Sequence, residues 1–390
     1  MSKLDELIAE LCPNGVEYVK LKEICEFKRG DSITKKDLID GDIPVIAGGQ
    51  KPAYYCNISN RTGETIVISS SGAAGYVSYW DKPIFVSDAF TIKPKSEDVL
   101  NIKYLFYYLK NVQIQIYSFK KGGGVPHVYS KDVGTLIIPL PPLPVQQEIV
   151  RILDNFTELT AELTAELTAE LTARKKQYEY YRDKLLTFGD EVQRVKLGEI
   201  AIIERGNGLK KSDFTYEGIP CIHYGQIHTY YKTFAYKTIS FVSKDEAEKL
   251  KKVYSGDIIM AVTSENLEDV CKCTVWLGEG YIVTGGHTAI IRHNQVPKFL
   301  AYYFQTSYFI KQKQKISHGT KVIEVTPRDL ESIQIPLPPL KEQERIVAIL
   351  DRFDALCNDL TSGLPAEIEA RKKQYEYYRD KLLTFKEVKA

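Results

Sequence analysis

The sequence predicts an α+β protein written twice: two globular α/β halves separated by two long antiparallel helices forming a coiled coil, related by a pseudo-twofold internal repeat. Three observations predict it. The stretch RKKQYEYYRDKLLTF occurs letter for letter at Arg174 to Phe188 and at Arg371 to Phe385, a shift of 197 positions (371 − 174). Ile138-Pro139-Leu140-Pro141-Pro142-Leu143, with Gln146, Ile149, Val150, Ile152, Leu153, Asp154 and Phe156 behind it, returns at the same shift as Ile335 to Leu340 with Gln343, Ile346, Val347, Ile349, Leu350, Asp351 and Phe353. Leu159, Leu163, Leu167 and Leu171 recur every four residues and match Leu356, Leu360, Leu364 and Ile368. Self-similarity of this kind defines the architecture before any single element does.

The stretches between these twins have diverged. Thr65 to Trp80 and its counterpart around Asp257 to Trp276 share little beyond alternating apolar character. Repeated segments therefore meet the same thing twice, and variable segments meet two different things. A common frame still shows in the halves: Val19-Lys20-Leu21, Glu23-Ile24, Arg29-Gly30, Asp37, Ile43-Pro44 and Gly49-Gln50 reappear as Val195-Lys196-Leu197, Glu199-Ile200, Arg205-Gly206, Asp213, Ile219-Pro220 and Gly225-Gln226. Here the shift is 176 (226 − 50), so the second half carries 21 extra residues (197 − 176) before its exit. Insertions belong in loops, and loops carry specificity.

Short β-branched runs such as Thr65 to Ser69 and Tyr281 to Thr284, broken by Gly and Ser clusters, predict strands joined by turns. An amphipathic helix follows in each half, near Leu100 to Tyr117 and near Val296 to Lys315. The proline-rich exits must be extended, because proline lacks a donor and biases the residue before it away from helix. Beyond the first exit a helix from about Val145 to Phe188 is expected, roughly 65 Å long at about 1.5 Å per residue. It holds three Thr-Ala-Glu-Leu tetrads, Thr160 to Leu163, Thr164 to Leu167 and Thr168 to Leu171. The two leucine stripes are expected to pack on each other. Gly363 and Pro365 should break the second helix, with Ser362 able to cap a restart. The expected domains are 1–143, a central helical spacer 144–188, 189–340, and a distal helical repeat 341–390.

A chain of 390 residues exceeds one comfortable core. Lys and Arg number 52 against 51 Asp and Glu, a net charge of +1 that neither supports nor excludes a nucleic-acid partner. Seven scattered cysteines without a CxxC framework point to free thiols in a reducing cytoplasm. The start reads as an acidic amphipathic helix, and no apolar run of about 18 residues suggests a membrane span.

Glu158, Glu162, Glu166 and Glu170 form a like-charge column, each contact unfavourable by about 0.2–0.5 kcal/mol, with Glu170 to Arg174 favourable. Such a face grips phosphate poorly and suits a spacer. DNA contact is expected instead from flexible polar loops. Lys120, Lys121 and Gly122 in the first half match the loop carrying His318, Thr320 and Lys321 in the second, and glycine beside lysine lets backbone approach phosphate closely. Gln50 and Gln226 follow the same glycine and have the chemistry to read adenine edges. Ser70 and Ser264 lie at the ends of matched strands; Tyr76 and Tyr224 can stack or touch phosphate. Six histidines show no metal-ligand spacing, and neither a P-loop, a GxGxxG nor an Asp/Asn-Pro-Pro-aromatic tetrad is present. Gly285-Gly286-His287-Thr288 is too weak a phosphate-turn signal to use alone.

With its two diverged halves, Ile-Pro-Leu-Pro-Pro-Leu exits, paired helical repeats and tetrads, the whole chain resembles the specificity subunits of type I restriction-modification systems, in the Thr-Ala-Glu-Leu repeat subfamily. The resemblance implies a non-catalytic subunit with two target-recognition domains that binds double-stranded DNA at a bipartite target. It implies two methyltransferase partners on the repeated regions and restriction subunits beyond them, with S-adenosylmethionine, ATP and Mg held in those partners. It places Tyr178, Tyr181 and Leu185, with Tyr375, Tyr378 and Leu382, on the packing side of the rod. Lys175, Lys176 and Arg182, with Lys372, Lys373 and Arg379, become the candidates for methyltransferase contact. Three tetrads imply a longer spacer than two would. An enzyme fused to its own reader would need a catalytic motif, and none is visible; a protein-binding coiled-coil scaffold without DNA selectivity would leave two unlike, loop-rich ends unexplained.

Overall fold

The computed structural model describes residues 2–33, 39–358 and 363–388, so Asp37, Leu360 and Ser362 lie outside the described residues. The chain divides into two compact units, Met1–Glu166 with Ile368–Ala390, and Leu167–Glu367. Each unit thus combines one globular half with helical segments from distant parts of the sequence.

In the first unit an antiparallel sheet runs in the order Cys25–Arg29, Ala89–Pro94, Thr65–Ser69, Val77–Trp80. A smaller sheet places Ile43–Ile46 between Tyr54–Cys56 and Phe85–Val86, the latter pair parallel. Thr65 to Ser69 are buried on both faces, which is why Ile66 to Ile68 are continuously apolar instead of alternating. Helix Ile102–Asn111 buries Tyr104, Leu105 and Leu109 in the core that also takes Ile66, Ile68 and Ile92.

The second unit repeats that order in Ala201–Arg205, Thr288–His293, Ile258–Ala261 and Cys273–Trp276, then adds a fifth, parallel strand, Phe234–Ala235. Its second sheet runs Phe214–Thr215, Ser240–Val242, Ile219–Ile222, Tyr281–Thr284, Lys251–Tyr254. The extra residues of this half therefore build sheet as well as loop.

Two expected helices are each broken in two. Ile102–Asn111 ends at Val112 and Gln113–Ser118 follows, while Pro297–Tyr303 and Ser307–Ile316 are parted where the Thr306 hydroxyl accepts the Phe309 N–H at 3.2 Å. A threonine cap starts a new helix more readily than it continues an old one. The exits are extended, as their prolines require: Ile137–Leu140 pairs with Glu17–Lys20, and Gln334–Pro336 with Arg194–Lys196.

The long helix is one unbroken element, Leu143–Leu185, with Pro144 tolerated in its first turn. The distal segment is jointed, Leu340–Asn358 and Leu364–Leu382, as Gly363 and Pro365 predict. Inside the first unit the helices run antiparallel, with Phe156 against Tyr378 at 5.8 Å and the Thr157 and Tyr375 hydroxyls 3.0 Å apart. Leu159 and Leu163 there border a hollow of about 190 Å³ together with Tyr375 and Tyr378, so in this unit the stripe faces the aromatic twin segment. In the second unit Tyr181 stacks on Phe353 at 5.7 Å and Tyr178 is buried. Among the described residues no helix is long and apolar enough to cross a membrane.

Candidate functional site

The two halves present matched tips on a shared hydrogen-bond frame. In the first, the Val128 N–H donates to the Ser70 carbonyl at 3.0 Å; in the second, the Val325 N–H donates to the Val262 carbonyl at 2.9 Å. These bonds seat the candidate loops against the ends of the central strands. Lys121 and His127 exchange both backbone hydrogen bonds at 2.9 Å, and His318 and Glu324 do the same at 2.9 and 2.8 Å. Gly122 and Gly319 both have φ of 101°, a conformation that only glycine adopts without strain. The Lys121 ammonium lies 2.8 Å from Asp132, and His318 occupies the matched place 3.6 Å from Asp329.

Around the first loop, the Ala73 N–H donates to the Gly48 carbonyl at 2.7 Å and the Ser69 hydroxyl to the Gly49 carbonyl at 3.4 Å. A Cβ on Gly48 would sit 2.8 Å from Ser71 Oγ, so glycine is what allows the turns to touch. Gly49, next to Gln50, and Val128, which follows the Lys120 to Gly122 loop, thus both bond to the Ser69–Ser70 turn, and Gln50 itself is exposed. Lys120 covers the Tyr117 ring at 4.5 Å, and Tyr76 lies beneath Lys110 at 4.8 Å. Tyr76 thus offers one ring face less than its sequence suggested.

Around the second loop, Thr263–Ser264 pairs with Ile323–Glu324. Tyr224 packs against His223 at 4.5 Å and His287 at 4.7 Å. Burial, aided by Lys211 and His287, pushes the His223 imidazole below its usual pKa, and its Nδ1 accepts the Gly225 N–H at 3.1 Å. Gln226 differs from Gln50. Its Oε1 accepts the His223 N–H at 3.0 Å and its amide donates to the Ser240 hydroxyl at 2.6 Å, so both ends are committed to holding the short helix Tyr224–Thr229. Thr320 and Lys321 are exposed and Ser264 half-buried. Arg205, a site residue the sequence reading passed over, donates to the Gly286 carbonyl at 2.8 Å and to Glu324 at 2.5 Å.

On the twin helical segments the four lysines Lys175, Lys176, Lys372 and Lys373 are exposed. The two arginines are drawn inward: Arg182 lies over the Tyr178 ring at 5.5 Å with its side chain 12% exposed, and Arg379 lies over Tyr375 at 5.4 Å while its Nε donates to Asn111 at 3.2 Å. Tyr180 and Tyr377 were missed by sequence reasoning. They are 61% and 63% exposed and meet Tyr181 and Tyr378 edge-on at 5.3 and 5.4 Å, nearly the same geometry twice. The available signal was their identity in both copies one residue away from a packing tyrosine.

Among the described residues no group of three His, Cys, Asp or Glu side chains is placed to hold a metal ion. The profile of the type I restriction modification DNA specificity domain matches residues 13–173 and 189–370, one copy per half. The chain belongs to this family. As a type I specificity subunit it supplies DNA sequence specificity to a restriction-modification complex and carries no catalytic step of its own. It is 32% identical over 362 residues to a chain of Haemophilus influenzae assigned as a type I restriction enzyme specificity subunit, covering 89% of each. It is 29% identical over 408 residues to a type I restriction enzyme specificity subunit of Escherichia coli, covering 99% of this chain and 97% of that one. In fold it matches a chain solved in a study of complex assembly and conformational transition of the type I R-M system, with a TM-score of 0.66, 20% identity, and coverage of 95% and 98%. For a specificity subunit the unlike tips on a like frame are the informative part, because recognition must differ where support need not.

Proposed function

We propose that each globular half reads one part of a bipartite DNA target, that the helices set the spacing between the parts, and that the twin segments dock two copies of one methyltransferase subunit. The observation that carries this reading is the contrast within each unit: hydrogen bonds of the same register hold loops of unlike sequence, whereas Arg174 to Phe188 and Arg371 to Phe385 are identical even at exposed Tyr180 and Tyr377. Lys120, Lys121 and Lys321 with the glycines beside them supply phosphate contact, which positions the protein without choosing bases. Gln50 and Ser70 in the first half, and Ser264, His318 and Thr320 in the second, lie where base edges would come. Restriction subunits join the same assembly, in the cytoplasm where its DNA lies, and S-adenosylmethionine, ATP and Mg serve the partner subunits. Exchanging the Lys20 to Ile138 region for that of another family member, in the complete complex, tests the reading by methylome sequencing. One half-site should change and the other persist; a change in both, or in neither, overturns it.

A further inference from the structure

Asp88 and His287 are the same position in the two halves. Each directly precedes the second strand of its main sheet, Ala89–Pro94 or Thr288–His293. Each main-chain carbonyl accepts an N–H from the end of the neighbouring strand, Ser70 at 3.2 Å and Val262 at 2.9 Å. Each side chain meets the hydroxyl of the next residue along, Ser71 Oγ on Asp88 Oδ2 and Thr263 Oγ1 on His287 Nδ1 at 2.9 Å. Those same neighbours, Ser70 and Val262, carry the carbonyls that seat the two candidate loops.

A carboxylate only accepts, so the Ser71 hydroxyl donates to it. The Thr263–His287 bond can run in either direction; with the hydroxyl as donor, as Ser71 is in the first half, the ring proton sits on Nε2, and that is the tautomer the inference takes. Asp88 and His287 are both exposed, and among the described residues neither Asp88 Oδ1 nor His287 Nε2 has a hydrogen-bond partner. In that tautomer one frame presents an acceptor in the first half and a donor in the second.

We propose that this position determines specificity with opposite hydrogen-bond polarity: Asp88 accepts from an exocyclic amino group on a base, and His287 donates to a purine acceptor, N7 or O6. Phosphates repel a carboxylate, so an exposed aspartate at a DNA-facing tip is favourable only against an amino group, such as N4 of cytosine or N6 of adenine. Ser71 and Thr263 are positioning residues that hold the side chain outward. The inference rests on the proposal that each half reads its own half-site with these tips.

The test is methylome sequencing of the complete complex carrying Asp88→Ala, Asp88→Asn or His287→Ala, with thermal melting to verify folding. Asp88→Ala should relax one base pair of the first half-site, with discrimination there falling about tenfold or more, and the base that was required shows whether cytosine or adenine supplied the amino group. In Asp88→Asn the amide oxygen replaces Oδ2 as acceptor for Ser71 and the NH2 group turns outward. That variant keeps the frame and should shift preference at the same base pair toward an acceptor. His287→Ala should relax one pair of the second half-site only. Folded variants that lose methylation evenly, with every base preference intact, would refute the polarity assignment while two independent half-sites in the parent complex still upheld the wider reading. Altered bases in the opposite half-site would instead overturn the one-domain, one-half-site reading itself.

Discussion

Gln146 Oε1 accepts the Asn101 N–H at 2.8 Å from a fully buried position. Asn101 is itself the cap of helix Ile102–Asn111, and the Gln146 amide donates to the Val99 and Pro141 carbonyls at 2.9 and 2.8 Å. Gln343 repeats the clamp with the Val296 N–H at 3.1 Å and the Pro338 carbonyl at 2.9 Å. Replacing Gln146 with leucine strands three main-chain groups, the Pro141 carbonyl in a buried bond and the Asn101 N–H and Val99 carbonyl in part-buried ones, and leaving a buried group unpaired costs about 1–3 kcal/mol in a typical case. Gln146→Leu should lower stability by about 3 kcal/mol in urea unfolding. Gln343→Leu should act likewise and add to it, since the two clamps share no partner.

His293 titrates against folding. Burial holds its imidazole at a pKa of about 4, against an ordinary value of 6.5, and Nδ1 accepts the Gln295 N–H at 3.2 Å. The folded state therefore binds this proton less readily than the unfolded chain. Stability is complete above about pH 6.5 and declines as pH falls toward 4. His293→Gln should flatten the pH dependence of the melting temperature across that window, and an unchanged slope would assign the dependence to other groups.

Gly122 and Gly319 share a φ of 101° but not their surroundings. A Cβ on Gly319 would lie 2.1 Å from the Val322 carbonyl oxygen, whereas one on Gly122 meets nothing closer than 3.9 Å. Gly122→Ala should cost about 1–2 kcal/mol in backbone strain alone, and Gly319→Ala clearly more. Thermal melts of the two variants measure the difference. DNA binding by the second half should be the more weakened.

Deleting Thr164 to Leu167 removes one tetrad from an uninterrupted helix. The helix shortens by about 6 Å and its remainder turns by about 40°. In the complete complex the preferred spacer should shorten while both half-sites keep their bases, as methylome sequencing would report. Altered half-sites with an unaltered spacer would contradict a measuring role.

The repeat, the extended exits, the unbroken helix and the joint near Gly363 were readable because each depends on local chemistry: identity, proline, periodicity and helix breaking. Strand order was not, since it depends on which apolar runs meet. The Ser71 to Asp88 and Thr263 to His287 contacts join residues 17 and 24 positions apart, and no local pattern announces them. Gln226 had the right residue type but its amide is occupied by His223 and Ser240, a fact that emerges only when the loop closes on the strand. Tyr178 and Tyr180 show the same limit on a helix. Their spacing separates them around the axis, but which of them meets the core is decided by the partner.

The backbone exchange between Lys121 and His127, and between His318 and Glu324, separates the form of a loop from its spelling. Main-chain bonds and one glycine maintain the form, so exposed side chains at 120, 320 and 321 can change with little consequence for folding, and those at 121 and 318 with the loss of a contact to Asp132 or Asp329. On the proposed reading, new DNA words can thus be tried on an old grammar, one letter at a time, while the protein that carries them stays assembled.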